Sequence, residues 1–200
     1  MSKRIRPFLW AVAACVLAAC SSSPSGPPRD QANICGILDE RSDWGEALAE
    51  TQNRWGAPPE VVMAIIWRES SFRAKARTPK KYTFFGLIPN GRVSSAYGYS
   101  QALDGTWEWY QEETGNGWAD REDFDDSADF VGWYMNKTRR TNGLAMTDAY
   151  SQYLAYHEGH TGYKRGSWQS KNWLKNAASQ VAQRAASYRG QLSSCRHRLS

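Results

Sequence analysis

The chain has 200 residues, and the stretch from 35 onward suits one domain of ordinary size. It carries 25 Lys and Arg against 20 Asp and Glu; without Lys3, Arg4 and Arg6 at the extreme N-terminus the balance is 22 against 20. So small a surplus, with no basic stripe, excludes a nucleic-acid partner held by phosphate attraction, while ten tryptophans and ten tyrosines point to an aromatic core.

The positive start leads into an apolar run from Phe8 to Ala19 that is too short for a stable bilayer span. It closes on Leu17-Ala18-Ala19-Cys20 and then serines. This resembles the lipobox of bacterial lipoproteins, where small residues admit the signal peptidase and the Cys20 thiol is acylated. An ordinary secretory signal with Cys20 as a bystander is the competing reading. On the lipoprotein reading, residues 1–19 are removed and residues 20–34 form an acylated cysteine with a Ser/Pro/Gly-rich flexible tether. Ser21 stands where an aspartate would resemble an inner-membrane retention signal, so an outer-membrane lipoprotein facing the periplasm is expected, held to the membrane by its lipid. Cys15 then leaves with the signal and Cys20 carries lipid. Cys35 and Cys195 remain in an oxidising compartment and are expected to pair; two unrelated buried thiols are the alternative.

Residues 35–200 read as mostly helical. Ser42 or Asp43 caps a helix towards Trp55, with Trp44, Leu48, Thr51 and Trp55 on one side and Gly56 ending it. Pro58 and Pro59 suit the first turn of the next helix. The segment Lys81–Gln101 changes character: Tyr82–Ile88 and Arg92–Tyr97 flank Asn90-Gly91, a two-residue hairpin signal, with Pro89 just before it. Helices resume from Asp104 or Thr106 to Gly115, from Asp125-Asp126-Ser127 to near Asn142-Gly143, and from Thr147 or Asp148 to Gly159. A last helix covers Ser170 to Leu192, with Leu174, Ala178, Val181, Ala185, Tyr188 and Leu192 as its inner stripe. The expected fold class is mainly α (α+β), with a small β-hairpin beside the helix that carries Glu69. No transmembrane span is expected after the signal, and no Gly-rich phosphate loop is present.

Glu69 stands out within Val61-Val62-Met63-Ala64-Ile65-Ile66-Trp67-Arg68-Glu69-Ser70-Ser71-Phe72. Ile65 and Ile66 precede it by four and three residues, which places a carboxyl on an apolar helical face. A carboxyl so placed keeps its proton more readily and can act as a general acid near neutral pH. Taken alone, it reads more simply as the solvated end of a core helix.

Three short motifs then follow in order: Glu69-Ser70-Ser71-Phe72, Ala96-Tyr97-Gly98-Tyr99-Ser100-Gln101 and Ala155-Tyr156-His157-Glu158-Gly159. Over about residues 42–165 the chain resembles the Slt-type lytic transglycosylases, whose motifs take the forms Glu-Ser-x-Phe, Gly-Leu-Met-Gln and Ala-Tyr-Asn-Ala-Gly. The resemblance implies a lysozyme-like fold and glycan strands of peptidoglycan as substrate. It makes Glu69 the single acid/base, Gln101 a residue of the sugar-binding cleft, Tyr156 the tyrosine whose hydroxyl orients the carboxyl, and Ser70 a helper at the helix end. Tyr97, Ser100 and Glu158 are further candidates for substrate contact. Tyr99-Ser100 in place of Leu-Met implies a more polar and aromatic cleft wall. His157-Glu158 in place of Asn-Ala adds two titratable groups, and the longer stretch from Glu69 to Gln101 implies a hairpin that can overhang the groove.

The chemistry so implied is cleavage of the MurNAc–GlcNAc β-1,4 bond without water, giving a 1,6-anhydro-muramic end. Two alternatives stay open. A second carboxylate, Asp104 or Glu158, would make a hydrolytic muramidase; Asp104 reads more simply as a helix cap and Glu158 as charge at a helix end facing water. A peptidoglycan-binding lipoprotein without turnover is the other. His157-Glu158-Gly159-His160 lacks the four-residue spacing on an unbroken helix that a zinc protease uses, so no metal and no cofactor is expected. A monomer is the default expectation.

Overall fold

The computed structural model describes residues 26–83 and 88–199, with the backbone alone at 81–83, 88 and 89. Cys20 and the rest of the expected signal and lipobox lie outside the described residues. Among the described residues seven α-helices run in order: α1 Ile34–Glu40, α2 Ser42–Trp55, α3 Pro59–Ser70, α4 Asp104–Thr114, α5 Phe124–Asn142, α6 Ala149–Lys164 and α7 Asn172–Cys195. An antiparallel pair, β1 Lys80–Thr83 and β2 Ile88–Arg92, lies between α3 and α4. The mainly α architecture with a hairpin beside α3 is the expected one. No helix among the described residues is long and apolar enough to cross a membrane.

The hub is α3. Its unbroken apolar run is hydrophobic all round, so it needs cover on every side, and α2, α5 and α7 supply it. Every residue from Pro59 to Ile66 is buried. Each fully buried Val or Ile contributes about 1.5–3 kcal/mol, which makes this helix a rigid base for the residues at its C-terminal end. Glu60, the one charged residue in that run, is paired with Arg189 of α7 at 2.9 Å. The expected inner stripe of α7, from Leu174 to Leu192, is buried throughout.

Two local features differ from the sequence reading. No sequence signal announces α1, which is only seven residues long, too short for periodicity to show. Asn33 caps it through Gly36 N–H, and Ile34, Ile37 and Leu38 are buried. The expected tether is accordingly fixed before residue 34: Pro28 is buried, and the Gln31 carbonyl accepts from Arg184 at 3.1 Å and from Tyr188. Cys35 and Cys195 are joined by a disulfide, their Cα atoms 5.9 Å apart, which ties α1 to the end of α7. Closing a loop of 160 residues is worth about 5 kcal/mol in the chain-entropy account.

The hairpin exists, but Asn90-Gly91 is not its turn. The pairs are Lys80–Arg92, Tyr82–Pro89 and Thr83–Ile88, so the strands connect through residues 84–87. Between the first two pairs, Asn90 and Gly91 stand opposite a single residue, forming a β-bulge, and Gly91 has the positive φ of 69° that such a bulge accepts. The base of the hairpin sets this register. Val93 N–H donates to the Pro79 carbonyl at 3.1 Å, Thr78 Oγ1 to the Ser94 carbonyl at 2.9 Å, and Arg92 Nη1 to the Thr78 carbonyl at 2.7 Å.

Candidate active site

Glu69 occupies the last turn of α3, and the chain leaves abruptly after it. Ser71 and Phe72 both adopt left-handed backbone, φ 52° and 56°. Such residues cost on the order of 1 kcal/mol or more each and persist only where surrounding packing over-determines them. Here Phe72 is fully buried against Trp44, ring centroids 5.6 Å apart. The third non-glycine residue with positive φ among those described is Gln101, at 52°. Strain therefore collects on two of the three motifs.

The second motif is a tight loop. Gly98 has φ 79°, and a Cβ there would fall 2.0 Å from the Arg121 carbonyl oxygen, so only glycine fits. Gly98 N–H donates to the Ala76 carbonyl at 3.0 Å. The Gln101 side-chain amide donates to the carbonyls of Ala76 and Gly98, both at 2.9 Å, which locks its orientation.

The third motif lies on α6, which Asp148 caps through Ser151 N–H. Regular helix breaks at Gly159, φ 72° and ψ 159°, and resumes to Lys164. Tyr153 and Tyr156, one turn apart, both approach Glu69. Tyr153 is hydrogen-bonded to the carboxyl, whereas the Tyr156 hydroxyl donates to the Ser100 carbonyl at 2.7 Å. The orienting hydrogen bond assigned to Tyr156 by resemblance thus comes from Tyr153 here. The motif pattern does not mark Tyr153; its only sequence signal is its place one turn before Tyr156. Tyr156 instead braces the second motif and packs edge-on against Tyr134, centroids 5.2 Å apart.

Glu69, Gln101, Tyr156, His157 and Glu158 border one cavity of about 530 Å³, with Leu103, Phe130, Tyr134 and the hairpin-base residues Thr78 and Ser94. Part of Glu69 opens on this cavity, but protein surrounds its carboxyl. Desolvation raises its pKa from 4.5 to about 7, outweighing the lowering influence of the Tyr153 hydrogen bond and the Arg68 charge.

Glu158 has the opposite environment. Its side chain is 4% exposed, and its oxygens receive Lys171 Nζ at 2.7 and 2.9 Å, Ser167 Oγ, and His157 Nδ1 at 3.3 Å. Burial alone would raise its pKa, yet these partners together hold it below the ordinary value. The expectation of charge facing water is corrected: Glu158 is a buried, neutralised carboxylate on the cavity wall.

Other expected contacts fall elsewhere. Ser70 is buried and donates to the Ile66 carbonyl at 3.1 Å, facing its own helix. The Tyr97 hydroxyl donates to Glu122, and its ring lies under the Arg77 guanidinium, 3.8 Å from the centroid, outside the cavity lining. Ser100 is fully buried and meets the site only through its carbonyl. Tyr99 does not enrich the cleft wall; it packs edge-on into Trp44 and Phe124. Asp104 is not a cap. Leu103 holds the N-cap position of α4, and the Asp104 carboxylate pairs with Arg121 at 2.8 Å. His157 and His160 diverge, the first meeting Trp173 and the second stacking on Tyr134.

No curated protein matches the chain. A family model described as "Transglycosylase SLT domain" matches residues 8–195. That span takes in all three motifs and every wall of the cavity, and it implies a peptidoglycan glycan as substrate class. The chain belongs to the transglycosylase SLT domain family.

Proposed function

We propose that the protein is a lytic transglycosylase that cleaves the MurNAc–GlcNAc β-1,4 bond of peptidoglycan without water, with Glu69 as acid and then base. One observation carries the reading: of the two carboxyls on the cavity wall, only Glu69 holds its proton to about pH 7 and is free of a cationic clamp. Glu69 gives its proton to the glycosidic oxygen as the bond to the anomeric carbon breaks. Positive charge on that carbon is eased by the N-acetyl group of the muramic sugar. The new Glu69 carboxylate then takes the proton of the sugar's 6-hydroxyl, and the 6-oxygen closes on the anomeric carbon. The proton returns to Glu69 and no water enters. One residue serving both roles needs a pKa near working pH, which burial provides.

The muramidase reading would need a second carboxylate free to activate water or attack the sugar. Both Glu158 oxygens are occupied by Lys171, with Ser167 and His157 adding to them, which favours the lyase. Digestion of purified sacculi separates the cases. Anhydro-muropeptides are expected; reducing-end products would establish a muramidase, and no soluble product a binding protein. The lipobox-like Leu17–Cys20 segment further supports an outer-membrane lipoprotein facing the periplasm. Metabolic labelling with a fatty acid tests it, with loss of label expected in Cys20→Ser.

A further inference from the structure

Trp173, in the first turn of α7, leaves 57% of its surface exposed. Its ring meets that of His157 edge-on, centroids 4.9 Å apart and planes at 76°. His157 borders the catalytic cavity, so the indole packs on a residue of the cavity wall without lining the cavity itself. Trp118 is more exposed still, but among the described residues no ring contact ties it to the cavity wall.

The corner beneath Trp173 is built rather than incidental. Glu158 receives His157 from its own helix and Lys171 from the residue that precedes α7. One buried carboxylate therefore fixes the two supports of the platform, the imidazole under the indole and the backbone two residues before it. Ser167 donates to the same carboxylate and to the Gly162 carbonyl at 2.9 Å, pinning the intervening loop. An indole left this open forgoes the burial from which aromatic side chains ordinarily gain stability. A rigid support that keeps it open beside a cavity is the arrangement of a ligand platform.

Sugar chemistry suits it. Pyranose rings in β-1,4 linkage present flat faces of axial C–H bonds that stack on an indole, while their equatorial hydroxyls reach polar neighbours. Here those neighbours are His157 and Lys171. A strand that leaves the cavity over His157 would reach Trp173, which packs on that ring.

We propose that Trp173, propped on His157, is a carbohydrate-stacking platform that binds a sugar ring of the glycan strand just outside the catalytic cavity. The proposal rests on the transglycosylase reading and makes Trp173 a specificity residue for strands longer than the cavity holds.

Steady-state cleavage of purified glycan strands tests it. Trp173→Ala is expected to raise KM roughly five- to tenfold, the scale of one lost stacked ring, with kcat within about twofold of wild type. Trp173→Phe should recover most of the loss. In a second measurement, N-acetylglucosamine oligomers are added to Glu69→Gln protein, and the indole N–H resonance of Trp173 should shift. An unchanged KM in Trp173→Ala, or an indole resonance unmoved while cavity residues shift, overturns the platform. If wild type makes no anhydro products, the transglycosylase reading fails, and the resonance measurement still decides whether Trp173 binds sugar.

Discussion

The end of α3 and the corner between α6 and α7 each place a glutamate on the wall of one cavity. Around Glu69 the neighbours are apolar residues and tyrosines, and the proton stays on to about pH 7. Around Glu158 they are an ammonium, a hydroxyl and an imidazole, and the proton leaves early. The two residues share a chemical type and a cavity; the partners differ, and with them the role. A carboxyl that needs nothing more from its surroundings holds structure, whereas one denied solvation and left without an ion pair has a proton to trade.

The largest test of that contrast is activity. Glu69→Gln should lower anhydro-muropeptide release by about 10³-fold or more while circular dichroism stays native, and Glu158→Gln should retain turnover within about tenfold. Equal losses in the two variants would erase the distinction. In wild type, kcat/KM should fall about tenfold per pH unit above pH 7, as Glu69 loses the proton that cleavage consumes.

Stability should divide the two residues by sign. Unfolded Glu69 ionises at 4.5, while the folded protein keeps that proton to about 7. Within this window the native state binds the extra proton, so stability falls as pH rises through it. Glu69→Gln removes the penalty, and urea unfolding at pH 8 should find the variant more stable by roughly 2–3 kcal/mol, with the gap gone below pH 4.5. Glu158 runs the other way. Its stabilisation is present above the ordinary carboxylate value and lost as pH falls through its lowered folded value. Glu158→Ala should cost about 1–2 kcal/mol at pH 7, since Lys171 is left unpaired yet partly solvated, and the cost should shrink in acid. The smallest effect is expected from Tyr153→Phe. Losing that hydrogen bond removes a lowering influence on Glu69, so the basic limb of the rate profile should move to higher pH with only a few-fold change in maximal rate.

How much of this was legible in the residues varied by element. Helices announced themselves by periodicity and end signals: α2 ends at Trp55 as read, with Gly56 as its left-handed C-cap, and Asp148 caps α6, but the N-cap of α2 is Arg41, without a side-chain capping bond, rather than Ser42 or Asp43. Asn90-Gly91 misled because a positive-φ glycine serves a bulge as well as a turn, and pairing at the hairpin's base settles which. Tyr99 misled for a similar reason. An aromatic beside a cleft motif can face cavity or core, and the stack of Trp44 on Phe124, 3.9 Å apart, takes its edge.

Sequence alone determined the succession of helices after α1, the position of a carboxyl on an apolar helix and the order of the three motifs, because these depend on local spacing. Tertiary structure alone decided that Tyr153 rather than Tyr156 bonds to Glu69, that Glu158 is clamped by Lys171, and that Trp173 stays exposed against His157. Proton affinity and exposure are set by whichever distant segments pack nearby, and α6 and α7 reach the end of α3 only once the chain has folded around it.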